Sequence, residues 1–293
     1  MSKRSKNSFE RGVGTVYLDD WNAFISYIHT KMVDQPDFVW RGQRSQAWPL
    51  RSGLERDLSA LGVGLESIEA TTRRFNHLRR FKLSARGRLD ARDFEERDTY
   101  GESYESEVGP GDVLIGPSAA EREENNWWAV GQHYGLKTPL LDWSTSPFVA
   151  AYFAFSNATP EGNSSDGRAI YGLNRTLVSQ RADALRQEAA DDGFDSIAVI
   201  DFIEPLYKDN PRLVSQGGLF TRTPDGKNVE DWVSEYYSDK HDNVWLVKLV
   251  LPDENRDYIL RSLNRMNINH QSLFPDLYGV TEFVNMKLTL EDY

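Results

Sequence analysis

Residues 139–155, PLLDWSTSPFVAAYFAF, constrain the fold more than any other stretch of the chain. Pro139 to Trp143 is short and apolar, and reads as a buried strand. Ser146 stands directly before Pro147. A serine side chain can accept from the first free N–H groups of a helix, and proline lacks the N–H that would go unpaired there, so the pair marks a helix start. Beyond it Phe148, Ala151, Tyr152 and Phe155 recur at i, i+3, i+4 and i+7, while Val149, Ala150 and Phe153 cover another face. Such a helix is buried on most sides. The polar turn Ser144-Thr145-Ser146 therefore sits where a buried strand meets a buried helix, a rigid place for a site.

The rest of the composition narrows the alternatives. The chain has 293 residues, 39% hydrophobic and 12% aromatic, enough for one large domain or two small ones. It has no cysteine, which removes disulfides, a thiol nucleophile and Cys-ligated zinc or iron–sulfur centres, and favours a cytoplasmic protein. The N-terminal residues MSKRSKNSFERGVG are charged and lack an apolar run, so no signal peptide is expected. No run approaches the roughly 20 apolar residues of a membrane span, so no membrane partner is expected. Asn163-Ser-Ser and Asn174-Arg-Thr match the glycosylation pattern and read as chance matches. A net charge of -11 disfavours nonspecific binding to nucleic acid or anionic membranes.

Along the chain, residues 1–18 read as a flexible arm. Residues 19–293 read as one α+β domain, with 65–125 as a helical and acidic-loop insertion. Trp21, Phe24, Ile25 and Ile28 predict a helix capped by Asp19 or Asp20. DFVWRGQ (37–43) predicts a short strand closed by Gly42. The segment 65–89 predicts a long helix with Arg73, Arg74, Arg79, Arg80, Lys82, Arg86 and Arg88, and acidic residues crowd 90–107. Those charge runs read as two solvated surfaces rather than a nucleic-acid face and its mask. A helix is expected from 121, a surface loop after 157, and helices near 176–190, 229–239 and 253–266 and from 276. Strands are expected at RAIYGL, SIAVIDFI and NVWLVKLVL, and RLVSQGGLF also reads as a strand. Strands and helices mix without strict alternation, which favours α+β over a doubly wound sheet.

Several residues stand out chemically. Arg41 shares a strand face with Val39, and its guanidinium suits phosphate; the competing role is to tie a buried Asp142. Gly42 would let a ligand approach the backbone. Asp142, between Leu141 and Trp143, reads as buried, pairing with Arg41 or capping the next helix. His133 and Tyr134 fall at a helix end; the histidines, at 29, 77, 133, 241 and 270, have no metal-ligand spacing. Gln216 precedes Gly217-Gly218, which read as a bulge or a close approach in a strand. Asp276 after Pro275 reads as a helix start. Gly-x-Ser-x-Gly, a P-loop and a complete dinucleotide glycine motif are absent.

Four blocks in order resemble the FRG domain: FVWRGQ at 38–43, QHYGLKTPLLDWSTSPFVAAYFAF at 132–155, RLVSQGGLF at 212–220 and SLFPDLYGV at 272–280. Tryptophan holds the aromatic position of the family's aromatic-Arg-Gly signature. The layout is also similar, more weakly, to ADP-ribosyltransferases of the Arg–Ser–Glu type. That resemblance implies an α+β fold with a split mixed or antiparallel sheet and flanking helices. It implies NAD as substrate, without a metal. Arg41, Gly42, Gln43, Tyr134, Ser144, Thr145 and Ser146 would bind NAD, and Gln216 and His133 would be catalytic. The third motif position carries Gln216 and glycines instead of Glu-x-Glu. The implied function is ADP-ribosyl transfer to a macromolecule, in a bacterial toxin or phage-defence setting. The alternative is a non-catalytic module that recognises protein or nucleic acid with the same cleft. A third option, a nuclease or RNA-binding protein using the basic helix, is opposed by the net charge.

Overall fold

Strand β3 (Phe38–Gln43) organises the molecule. The protein is represented by a computed structural model, which describes residues 7–88, 116–158, 167–194, 197–204, 211–238 and 243–293. Along its whole length β3 pairs antiparallel with β5 (Arg168–Asn174), from Phe38 opposite Asn174 to Gln43 opposite Ala169. The other strands are β1 (Ser8–Glu10), β2 (Val13–Tyr17), β4 (Leu140–Ser144), β6 (Asp201–Ile203), β7 (Gly218–Arg222) and β8 (Leu246–Leu251). They form one eight-stranded sheet in the order β1-β2-β8-β5-β3-β4-β7-β6. The β2–β8 pair is parallel and the rest are antiparallel, so the sheet is mixed.

Strand alternation sends Phe38 and Trp40 to one face and Val39 and Arg41 to the other. The first face is covered by α1 (Trp21–Tyr27), α5 (Pro147–Phe155), α9 (Arg256–Arg265) and α11 (Leu277–Thr289), whose side chains join Phe38 and Trp40 in one apolar cluster. The second face packs Val39, Tyr171 and Leu173 against Val178 and Ala182 of α6 (Arg175–Asp191) and Trp232 of α8 (Val229–Tyr236). A third cluster joins Leu140 and Phe220 to α2 (Gly53–Ala60), α3 (Ile68–Ala85) and α4 (Ala119–His133) through Leu54, Leu78 and Trp128.

Helix α5 is fixed at both ends. Ser146 caps it, accepting from Val149 N at 3.3 Å, with Pro147 at its first position. Its last carbonyls are taken up by two arginines. Arg168, with no exposed surface, donates to the carbonyls of Ala154 and Asn157 and pairs with Asp253. Arg256 donates to Phe155 O at 2.8 Å and to Ser156 O at 2.6 Å. Cations there satisfy the orphan acceptors and oppose the negative end of the helix dipole. Phe155 is wholly buried and contributes about 1.5–3 kcal/mol by that burial.

The structure changes several expectations. Residues 8–17 are not a flexible arm: β1 and β2 form a hairpin turned at Arg11 and Gly12, both with positive φ, and β2 extends the sheet along β8. A strand edge with unpaired N–H and C=O groups accepts such a segment despite its polar sequence. RLVSQGGLF divides into the short helix α7 (Pro211–Gln216) and strand β7, because Gly217 at φ 52° ends the helix. Within 65–125, Ala70 and Leu78 of α3 join the third core cluster. The acidic run 90–107 and Asn163 lie outside the described residues. The basic residues of α3 do not form one face: Arg74 is buried and reaches Asp225 at 3.1 Å, while Arg73 pairs with Glu69 at 2.8 Å. Asn174 is buried and caps α6. Asp276 caps α11, as expected. Among the described residues no helix is long and apolar enough to cross a membrane.

Two substitutions test this packing. A Cβ on Gly42 would lie 1.8 Å from Ala150 O and 2.6 Å from Ala154 N, so Gly42→Ala forces backbone apart. It should lower stability toward the upper end of about 1–3 kcal/mol, read as a fall in the urea midpoint at constant m. Arg168→Leu strands the α5 carbonyls and Asp253, and should cost about 3–5 kcal/mol in the same measurement.

Candidate functional site

Beyond residue 40 the sheet opens. β3 and β4 share a single register pair, Trp40 with Ser144. Past it, Arg41–Gln43 pair only with β5 and Leu140–Trp143 only with β7. Arg41 spans the opening. Its Nη1 donates to the carbonyl of Asp142 at 2.8 Å and lies 3.5 Å from Asp142 Oδ2. Asp142 Oδ1 accepts from Gln132 Nε2 at 2.7 Å, and Gln132 Oε1 accepts from the hydroxyl of the buried Thr138. A chain of polar contacts thus runs from β3 through β4 to the end of α4.

The two charges of this chain differ in exposure. The Arg41 side chain is 16% exposed and its Nε is buried without a hydrogen-bond partner. Burial lowers the Arg41 pKa, Asp142 opposes that shift and Arg56 adds to it. The side chain nevertheless stays charged, as a guanidinium does in proteins. Asp142 pairs with Arg41 as one sequence reading had it, but it is not buried: its side chain is 63% exposed between the buried Leu141 and Trp143. Alternation puts Asp142 on the face where the α5 group and the α2–α4 group part, so water reaches it.

The Ser-Thr-Ser turn is a structural seam. Ser144 Oγ donates to Gln216 O at 2.6 Å and accepts from Ser146 N at 3.0 Å. Thr145 N donates to Gly217 O at 2.9 Å, and a Cβ on Gly217 would lie 2.4 Å from Thr145 Oγ1. Gln216 Nε2 donates to Leu273 O at 3.0 Å, at the end of α10 (His270–Leu273). The structure therefore brings Ser144, Thr145, Ser146 and Gln216 together, one register step from Arg41. It engages the Gln216 amide in holding α10, at the end of a helix rather than on a strand.

Three other expectations shift. The space above Gly42 is filled by the α5 backbone, so the glycine admits a helix rather than a ligand. Gln43 is buried, with Nε2 3.5 Å from Pro49 O and Oε1 unpartnered. His133 and Tyr134 are exposed at the end of α4, their rings edge to face at 4.9 Å, and it is the neighbouring Gln132 that contacts Asp142. A depression lined by Tyr27, Lys31, Asp37 and Asn174 lies at the other end of β3 and includes no sequence-predicted site residue.

Sequence reasoning missed Gln132 and Tyr171. Tyr171 stands opposite Arg41 in register, wholly buried, with an unpartnered hydroxyl. Burial raises its pKa, Glu230 adds to the rise and Arg41 opposes it. Lys248 lies over its ring at 5.4 Å and donates to Gln46 O at 2.8 Å. The alternation of RAIYGL shows that one of its faces is buried, but only pairing with β3 puts Tyr171 beside Arg41. Among the described residues no three His, Asp or Glu side chains converge to hold a metal.

Ser144→Ala removes two hydrogen bonds in a buried setting and should cost about 1–3 kcal/mol. Thr145→Ala, at an exposed position, should stay within about 0.5 kcal/mol. Chemical denaturation of both variants measures the difference.

No curated protein and no solved structure matches the chain. The family model of the FRG domain matches residues 36–163, the segment that holds the signature Trp40-Arg41-Gly42, the Arg41–Asp142–Gln132 contacts and the Ser144–Ser146 turn. Residues 36–163 of this chain are an FRG domain.

Proposed function

We propose that the opening between β3 and β4 binds an NAD-type dinucleotide and that the chain transfers ADP-ribose to a macromolecular target. The observation that carries this reading is Arg41. It is held across the opening by Asp142 yet keeps one buried donor, Nε, without an acceptor. A buried unpaired donor costs about 1–3 kcal/mol, and a diphosphate oxygen would satisfy it. The divergence of β3 from β4 also supports the split sheet implied by the resemblance to Arg–Ser–Glu transferases.

In this reading Arg41 binds the diphosphate, and Tyr134 and His133 lie at the rim. Thr145 offers an exposed hydroxyl, while Ser144 and Ser146 fix the turn. A positioned diphosphate and a fixed wall would favour the developing positive charge on the ribose as nicotinamide leaves. Gln216 would act by anchoring the turn. A toxin or anti-phage effector is the setting such a transfer would serve.

A specific observation favours the alternative, a non-catalytic recognition module: the Gln216 amide is committed to Leu273 O. Calorimetric titration with NAD separates the readings. Wild-type protein should bind with a dissociation constant on the order of micromolar, and Arg41→Lys, which keeps the charge but loses the fork, should bind at least about tenfold more weakly. Label from NAD should then appear on a protein in a lysate. A folded wild type that does not bind NAD would overturn the transferase reading and leave the recognition module.

A further inference from the structure

We infer that Asp142 is the ligand-binding carboxylate of this opening and that it accepts the two hydroxyls of a ribose vicinal diol. This rests on the nucleotide reading above and names the group that holds the sugar.

Asp142 is exposed yet immobilised. One oxygen is held by Gln132 Nε2 at 2.7 Å and the other faces Arg41 Nη1 at 3.5 Å. The orientation of Gln132 is set in turn by the Thr138 hydroxyl, which donates to its Oε1 and leaves its amide nitrogen for Asp142. Thr138 is 2% exposed and also accepts from Leu140 N at 3.2 Å, so the relay is anchored in the backbone of β4. A surface carboxylate whose only role is solubility needs no such support. An ionised carboxylate offers about four acceptor positions. Two face these donors, and the side chain is 63% exposed.

The neighbours of Asp142 select the kind of donor it can take. Arg41 already supplies positive charge at 3.5 Å, so a second cation, metal or amine, would meet repulsion. A calcium ion would also need six to eight oxygen ligands, and no carboxylate or histidine group converges there among the described residues. A neutral hydroxyl donor meets no such penalty. Two adjacent hydroxyls match the two oxygens of one carboxylate, as when an acidic residue holds a nucleotide ribose. A diphosphate on the unpartnered Arg41 Nε would bring an attached ribose within reach of Asp142.

The test is a titration series on folded protein. The ligands are NAD, the analogue lacking the 2′ and 3′ hydroxyls of the nicotinamide-side ribose, the analogue lacking those of the adenosine-side ribose, and free ribose. Asp142→Asn should weaken NAD binding by about ten- to hundredfold, the size of a lost hydrogen bond to a charged acceptor. For one dideoxy analogue the wild type and Asp142→Asn should bind equally, and that analogue identifies the ribose. Free ribose should bind neither protein, which ties the diol to a nucleotide. If Asp142→Asn does not fold, Gln132→Met tests the same claim by releasing Asp142, with a smaller loss for NAD and none for that analogue. Wild-type binding of NAD that Asp142→Asn leaves unchanged, or an equal loss for NAD and both analogues, would overturn the inference while sparing the nucleotide reading. Absence of wild-type binding to NAD would overturn the nucleotide reading itself.

Discussion

The close approach of α5 to β3 at Gly42 is the contact on which the rest of the structure depends. A side chain at that position would collide with the backbone of α5, so only glycine lets the helix lie against the strand. With the helix seated, Ser146 fixes its start and Arg168 and Arg256 fix its end. That pinning holds the Ser144–Ser146 turn against Gln216 and Gly217 and thereby joins the two halves of the sheet at Trp40 and Ser144. The apolar helix behind a polar turn is thus a clamp: its burial provides the stability, and the turn transmits it to β7 and α10.

The same clamp explains the opening. β3 pairs with β5 over its whole length and β4 with β7, while β3 and β4 meet at one register pair and diverge beyond it. Backbone groups left by that divergence need partners, and Arg41 supplies one to the carbonyl of Asp142. Arg41 is therefore a brace whose Nε is buried without a hydrogen-bond partner. In the proposed function a ligand-binding role would share this guanidinium with the structural one, and a guanidinium has five N–H donors to divide between them.

Local signals were legible in the sequence. Ser146-Pro147, the apolar periodicity of 148–155, a strand over 37–43 and a helix start at Asp276 are written within a few residues, and the structure contains each of them, the strand from Phe38 and the helix with Asp276 as its cap. Long-range choices were not legible. Ser8–Tyr17 is polar and glycine-bearing, and becomes sheet only because β8 offers an edge. Pro211 was a helix-start signal that the following glycines obscured. Asp142 looked buried because its neighbours in sequence are apolar; its exposure depends on where two groups of helices part. The pairing of Gln132 with Asp142 needs the return of the chain from α4 into β4, and the capping of α5 by Arg256 needs a contact between residues 101 apart.

A crystal structure of the protein grown with saturating ADP-ribose tests the central claim most directly. The account predicts ligand density in the opening between β3 and β4, with the diphosphate on Arg41 and a ribose on Asp142. Ligand bound elsewhere, for instance in the depression lined by Tyr27 and Lys31, with an ordered water on Arg41 Nε, would contradict it.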